Sequence, residues 1–234
     1  KNRYCPAAIA LMAFLFVGCK DTPKAGTEKI SKNKASLIKL EEGPSKQSQT
    51  SNKNKTAGQT TVPDDNATNY PLQLMRPKMA TLSAPERFRV RLVTTRGNID
   101  LEVNKGWAPK GVDRFYNLVK YGFYKNVAFF RVIKGFMAQT GLHGDGRMNR
   151  AWRGARIEDD PVQASNVRGA VSFAMSGPNS RTTQFFINFA DNSRLDSMGF
   201  APFAMLDSKS MKLADSIYAG YGESQPRGKG PNQG

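Results

Sequence analysis

The chain has 234 residues with Lys+Arg 35 against Asp+Glu 19, a formal charge of +16, two cysteines and one histidine. That length holds one or two domains, and two cysteines exclude a disulfide-rich scaffold. The charge invites a nucleic-acid reading, but there is no finger spacing and no recognition-helix pattern. The basic residues are spread rather than striped, so no nucleic-acid partner is expected.

Taken in order, Lys1 and Arg3 precede the apolar run AAIALMAFLFVG, which ends at Cys19. A helix needs about 20 apolar residues to span a bilayer, so this shorter run with a basic flank reads as a signal peptide over 1–18. Phe16-Val17-Gly18-Cys19 resembles the lipobox of bacterial lipoproteins, with Phe16 where leucine is usual. The resemblance implies cleavage before Cys19 and its acylation, leaving a single cysteine and no intrachain disulfide. It also implies a lipid-anchored protein of the bacterial envelope facing the periplasm. Lys20 directly after the cysteine favours the outer membrane over the inner. Residues 19–84 are rich in Lys, Ser, Asn, Thr, Gln and Pro, with SLIKLEEG the only local candidate for structure. The rest cannot bury enough surface to offset its ordering entropy, so a lipidated disordered tether is expected, its lysines open to an anionic surface. The chain begins at Lys1 rather than Met and ends in the turn-forming PRGKGPNQG, so further sequence is expected at both ends.

Folding signals begin near Phe88 and define a domain over 85–234. Phe88, Val90 and Leu92 alternate with Arg89 and Arg91, and the turn TTRGN leads to Ile99, Leu101 and Val103, which is a hairpin with Gly97 at the permissive position. Pro109 suits a first helical turn, Val112, Phe115, Leu118 and Val119 follow at helical spacing, and Gly122 sits just past the end. Strands VAFFRVI and FMAQ come next. By alternation Phe129, Arg131 and Ile133 share one face, and Met137 and Gln139 share one. An arginine among large apolar residues is paired or used when buried; the competing reading is an edge-strand arginine with its head in water. Gly141 to Arg168 reads as a long, charged, glycine-rich loop. His143 lies there with no cysteine nearby, and Asp145 alone makes no metal constellation, so it reads as a solvated loop residue. GAVSFAM and QFFIN are further strands, with Gln184, Phe186 and Asn188 facing one way and Phe185 and Ile187 the other. Phe200–Leu206 is a strand in which Pro202 disfavours a central, fully paired position. Ser208 then caps a second helix carrying Met211, Ala214 and Ile217-Tyr218. Many short strands and two helices fit an all-β fold: a closed antiparallel barrel with helices over its ends and a groove outside.

The phrases FYNLVKYGFY, FFRVIKGFMAQTG, RGAVSFAM, GPNSRTTQFFIN, LD and GFAPFAML resemble those of cyclophilins, and YGESQPRGKGPNQG resembles a form common among bacterial members. The resemblance covers roughly residues 86 to 234. It implies a closed eight-stranded antiparallel barrel with two covering helices, its last strand beyond the given chain. It implies peptidyl-prolyl cis-trans isomerase activity with no cofactor and no metal, acting on proline-containing polypeptides of the envelope as a monomeric folding catalyst. By motif, Arg131 and Gln139 are the catalytic pair. Phe136, Met137, Phe186 and Leu195 build the proline pocket, with Phe200 on its rim. Ala174 and Met175 pair with substrate backbone, and Gln184 completes the polar lining. The chain departs from the pattern at Phe130 (often His), at Arg194 (Trp in the best-studied members), and at Met175 and Phe200 (Asn and His in the eukaryotic form). The reading of a different class is a non-catalytic proline-binding module or chaperone on a lipid tether; retention of Arg131, Gln139 and Phe186 argues against it.

Overall fold

The computed structural model describes residues 37–41, 70–223 and 225–230. The expected signal peptide, Cys19 and the polar stretch 42–69 lie outside the described residues. Eight strands form one antiparallel sheet: β1 (Leu37–Glu41), β2 (Arg87–Thr94), β3 (Gly97–Asn104), β4 (Arg131–Ile133), β5 (Met137–Thr140), β6 (Ala170–Phe173), β7 (Phe185–Asn188) and β8 (Pro202–Leu206). Their spatial order is β1-β2-β3-β8-β6-β7-β5-β4.

The expected closed eight-stranded barrel, whose last strand is expected beyond the given chain, is not closed among the described residues. Residues 85–234 supply β2 to β8, and the end strands β1 and β4 are not paired with each other, so the sheet is an open half-barrel. Within residues 85–234 the edge strands are β2 and β4, and each meets a further segment of the chain. Strand β1, from the segment read as tether, pairs with β2 from Leu37↔Val93 to Glu41↔Arg89. At the other edge Val132 bridges to Gly222. An uncovered edge strand is an open template for pairing, and these contacts cover the edge of β2 over five residues and that of β4 at one.

The β2–β3 hairpin forms in the expected register, Thr94↔Gly97 closing it with Gly97 at φ +126°. Val90, Leu92, Ile99, Leu101 and Val103 are buried on its inner face, where helix α2 (Pro109–Lys120) packs. This helix ends in a paired cap: Gly122 N–H donates to Val119 O and Phe123 N–H to Leu118 O, with Phe123 fully buried behind it. Its N-terminus is capped from a distance. Ala108 has no side-chain oxygen, and Asp160 instead accepts from Lys110 N–H at 3.0 Å and Gly111 N–H at 2.8 Å. A Cβ on Gly111 would lie 3.0 Å from Arg181 Nη1, so the close approach depends on glycine. Phe115, Phe173, Phe185 and Phe203 then interlock at ring separations of 4.8 to 6.2 Å to fill the centre.

Four α-helices are present among the described residues rather than two. Helix α1 (Leu72–Met75) and helix α3 (Gly146–Arg153) are additional, and α4 (Ser208–Ala214) is shorter than its apolar stripe. The cap of α4 is Asp207, which accepts from Ser210 N–H, not Ser208, and Tyr218 beyond the helix is exposed. Helix α3 lies in the stretch read as a loop; Asp145 caps it and Met148 and Trp152, one turn apart, are buried. His143 is half-buried rather than solvated, wedged between the Tyr70 and Phe123 rings at 5.5 Å from each. Pro202 does sit in a central strand, but as its first residue, opposite a bulge at Val171/Ser172.

Among the described residues, packing against the domain extends N-terminal to 85, as far as Tyr70. Leu74 is 1 % exposed, its carbonyl accepts from Trp152 Nε1–H at 2.9 Å, and Leu82 and Ala84 donate backbone N–H groups to Asn117 and Asp113. The polar composition around these few apolar residues hid a segment that is held by the domain and not by its own periodicity. Leu74→Ala in the full chain should therefore lower stability by about 2–4 kcal/mol, whereas Leu72→Ala, at an exposed site, should change it by about 0.5 kcal/mol or less. Urea unfolding of the two variants checks this, and equal midpoints would show that residues 70–84 do not pack.

Candidate active site

Strand register builds the site. Arg131 lies opposite Gln139, Gln139 opposite Phe186, and Phe186 opposite Ser172, one row across β4, β5, β7 and β6. Because side chains alternate, Phe185 and Ile187 enter the main core while Phe186 stands on the other face. There it joins Met137 and Leu195 in a second, smaller apolar cluster with Ile133, Phe136, Ala174 and Phe200 around it. Arg131, Phe136, Met137, Gln139, Ala174, Met175, Phe186, Leu195 and Phe200 line one cavity of about 200 Å3. Gln184 is not among them; it lines an adjoining cavity and accepts from Gln139 Nε2 at 2.8 Å. Phe129 lies outside the strand and packs on the main core, away from Arg131. Asn188 is fully buried beneath the site, donating to Asn166 Oδ1 and Ala170 O and accepting from Asn192.

The walls are fixed by backbone. Phe136 O accepts from both Phe189 N–H at 2.8 Å and Asn192 Nδ2 at 2.9 Å, which seats the ring. Arg194, one of the positions where the sequence departs from the resembled pattern, lays its guanidinium over Phe136 at 5.1 Å and so forms a polar rim to an apolar wall. Phe200 meets Phe186 edge to face at 5.7 Å. The amide of Ala174 is already bonded to Gln184 O at 2.9 Å. Met175, beyond the end of β6, is the next backbone unit at the cavity and has no such bond.

Arg131 is neither idle nor solvated. Its Nη2 and Nε donate to Glu223 Oε1 and Oε2 at 2.6 and 2.8 Å, and Nη1 donates to Gln139 Oε1 at 3.1 Å. Nη1 carries two hydrogens; the other faces the Met137 sulfur at 3.8 Å, a weak acceptor on the cavity floor. Glu223, Arg131, Gln139 and Gln184 thus form a chain in which each partner sets the orientation of the next. Glu223 is the residue that reading the sequence missed. It lies 92 residues from Arg131, in a turn-rich stretch with no periodicity to place it. The usable signal was an isolated carboxylate in YGES, amid glycines, where solubility does not require one.

Comparison with known proteins agrees with this geometry. A model of the cyclophilin type peptidyl-prolyl cis-trans isomerase family matches residues 89–230. Peptidyl-prolyl cis-trans isomerase A of Dickeya dadantii is 38% identical over 133 residues, 55% of this chain and 70% of that protein. The cypE isomerase of Dictyostelium discoideum is 43% identical over 110 residues, 46% of this chain and 70% of that protein. A crystal structure of a cyclophilin-type isomerase from Cryptosporidium parvum superposes with a TM-score of 0.50 at 24% identity, over 61% of this chain and 90% of that one, a likeness of fold. The chain belongs to the cyclophilin-type peptidyl-prolyl cis-trans isomerase family.

A carboxylate that grips the Nε/Nη2 edge of the guanidinium with both oxygens removes its rotational freedom and leaves Nη1 aimed at the cavity. Glu223→Ala should lower kcat/KM on a proline peptide several-fold, about 1 kcal/mol, mainly through kcat. It should also broaden the Arg131 side-chain nitrogen signals in NMR. An unchanged rate with an immobile Arg131 would show that the groove alone holds the arginine.

Proposed function

We propose that the chain catalyses rotation about X–Pro bonds through Arg131, on exported or envelope polypeptides, as a monomer anchored by a lipid on Cys19. The observation that carries the catalytic part is the second hydrogen of Arg131 Nη1, held over an apolar pocket and occupied only by a thioether.

Turning a prolyl amide breaks its resonance, against a barrier of about 18–20 kcal/mol. No bond forms or breaks, so the groove needs a ring holder and a donor, not a nucleophile. Phe136, Met137, Phe186 and Leu195 hold the ring on the outer face of the sheet. In the planar amide the proline nitrogen has no free lone pair; in the twisted state it regains one. A guanidinium hydrogen in place of the sulfur contact then bonds only the twisted form, and binding confined to the transition state is what raises the rate. Glu223 and Gln139 take the other edges of the guanidinium, so little reorganisation is needed at that moment. Retention of this donor favours catalysis over a passive proline-binding module.

Arg131→Ala should lower kcat/KM by about 10²-fold, about 3 kcal/mol, with a much smaller loss of peptide affinity. Arg131→Lys should not restore it, because an ammonium cannot fill the planar fork that Glu223 and Gln139 hold. Protease-free exchange NMR on a proline peptide gives both quantities, with a fold check on each variant. Near-wild-type exchange in folded Arg131→Ala would overturn the mechanism and favour the binding module.

The anchor rests on the sequence alone: a basic flank, an apolar run and Cys19 in a lipobox-like context, outside the described residues. The residues between Cys19 and β1 would then join lipid to fold, with the outer membrane favoured by Lys20. In cells making the full-length precursor, Cys19→Ser should move the protein from the membrane to the soluble envelope fraction. Retention on membranes after a high-salt wash would overturn the anchor.

A further inference from the structure

Past Gln139, Ala174 and Met175 the proline pocket adjoins a second cavity of about 500 Å3. Its lining contains no Asp, Glu or Lys, but it does contain Arg153 and Arg156. The backbone that bears them is fixed at close intervals. Trp152 is buried and donates to Leu74 O, Arg114 donates to Ala155 O, and Ile157 N–H donates to Arg181 O. The two guanidinium groups themselves are exposed and pair with no described residue. Each carboxylate in the surrounding sequence is already engaged: Asp145 by Arg147, Glu158 by Lys110, and Asp159 and Asp160 by Arg181. The remaining wall mixes polar groups from Asn149, Ser176, Ser180, Thr182 and Thr183 with the apolar Leu142, Ala174 and Met175, so the two guanidinium groups are its only charges.

We propose that this cavity is an anion-binding subsite, which makes the enzyme favour X–Pro segments carrying Glu or Asp within three residues of the proline. The proposal rests on the isomerase reading of the neighbouring groove. Three extended residues span about 10 Å, enough for a peptide seated in the proline pocket to reach the next cavity. A carboxylate matches the planar donor fork of arginine, and it arrives where two such forks lack a partner. The same positions disfavour Lys and Arg in a substrate, by like-charge repulsion. The selectivity therefore acts in both directions.

The test uses the full chain and one neutral Ala/Gly peptide frame with a single proline. Glu, Gln or Lys is placed in turn at each of three positions on either side of it. Exchange NMR gives affinity and isomerisation rate for each peptide. At one position Glu should exceed Gln in kcat/KM by about tenfold, with Lys below Gln. That ratio should fall toward one in the Arg153→Ser/Arg156→Ser double variant, and also as NaCl is raised to about 0.5 M. Arg150→Ser, on the same helix but outside the cavity lining, should keep the ratio. Equal values for Glu and Gln at every position, or a preference that survives in the double variant, overturns the proposal. If no peptide is turned over, it is the isomerase reading that fails, and the dissociation constants decide the subsite: tighter Glu peptides uphold it, and equal ones overturn it.

Discussion

Arg181 and Asp160 lie together in the interior, at 2 % and 1 % side-chain exposure, with Nη1 and Oδ2 3.0 Å apart. A charge so buried is tolerable only when paired, and removing one partner of such a pair costs about 3–5 kcal/mol because the other stays stranded. Asp160 Oδ2 accepts from Arg181 Nη1 and Gly111 N–H and its Oδ1 from Lys110 N–H, at the start of α2 where a negative charge also suits the helix dipole. Arg181 donates as well to Glu158 O, and its own backbone meets Ile157 in a two-residue bridge. Its Nε lies 3.4 Å from Asp159 Oδ1, an ionic contact without hydrogen-bond geometry. One ion pair thus ties the segment after α3 to the start of α2 and to the strand approach at 181–184. Both walls of the adjoining cavity hang from it, Arg156 on one side and Thr182 to Gln184 on the other.

The groove itself is a consequence of alternation on the outer face of a sheet. Phe185 and Ile187 fill the interior with Phe115 and Phe203, which obliges Phe186 to stand outside, and the register carries that choice to Gln139 and Arg131. A shift of one residue in β7 would place Phe186 in the core and take the wall off the pocket. The buried asparagines 166, 188 and 192 lie just beneath, bonded to one another and to Ser172 and Phe136 O. Polar groups in that position are costly unless satisfied, and fully satisfied they hold one arrangement of the wall.

The half-barrel leaves two sheet edges, and the chain uses both. Backbone from Leu37–Glu41 runs along β2. Around Gly222 the chain meets β4, and the same excursion delivers Glu223 to Arg131. Edge protection and the orientation of the catalytic candidate are therefore served by one short segment, itself held by Lys229 N–H to Tyr221 O and Gly230 N–H to Glu223 O. Arg194 has a comparable double character, since it rims the pocket by stacking on Phe136 where the best-studied members of the family carry a tryptophan.

The hairpin at Gly97, helix α2 and the inward and outward sides of β5 and β7 were all legible in the residues, because each depends on a local period or a single turn position. The residues that line the cavity were singled out too, through motif resemblance, and alternation independently set Met137, Gln139 and Phe186 apart from the core. What only the tertiary structure decided has a common cause: partners far apart in sequence, joined by no periodicity. Asp160 caps a helix 50 residues away, and Leu74 is buried against Trp152, 78 residues on. Helix α3 was hidden because two buried residues one turn apart, among glycines and arginines, make too weak a stripe to see. Glu223 meets Arg131 across 92 residues. A local pattern fixes which way a side chain faces; only the closed packing of the whole chain fixes which charge it finds there.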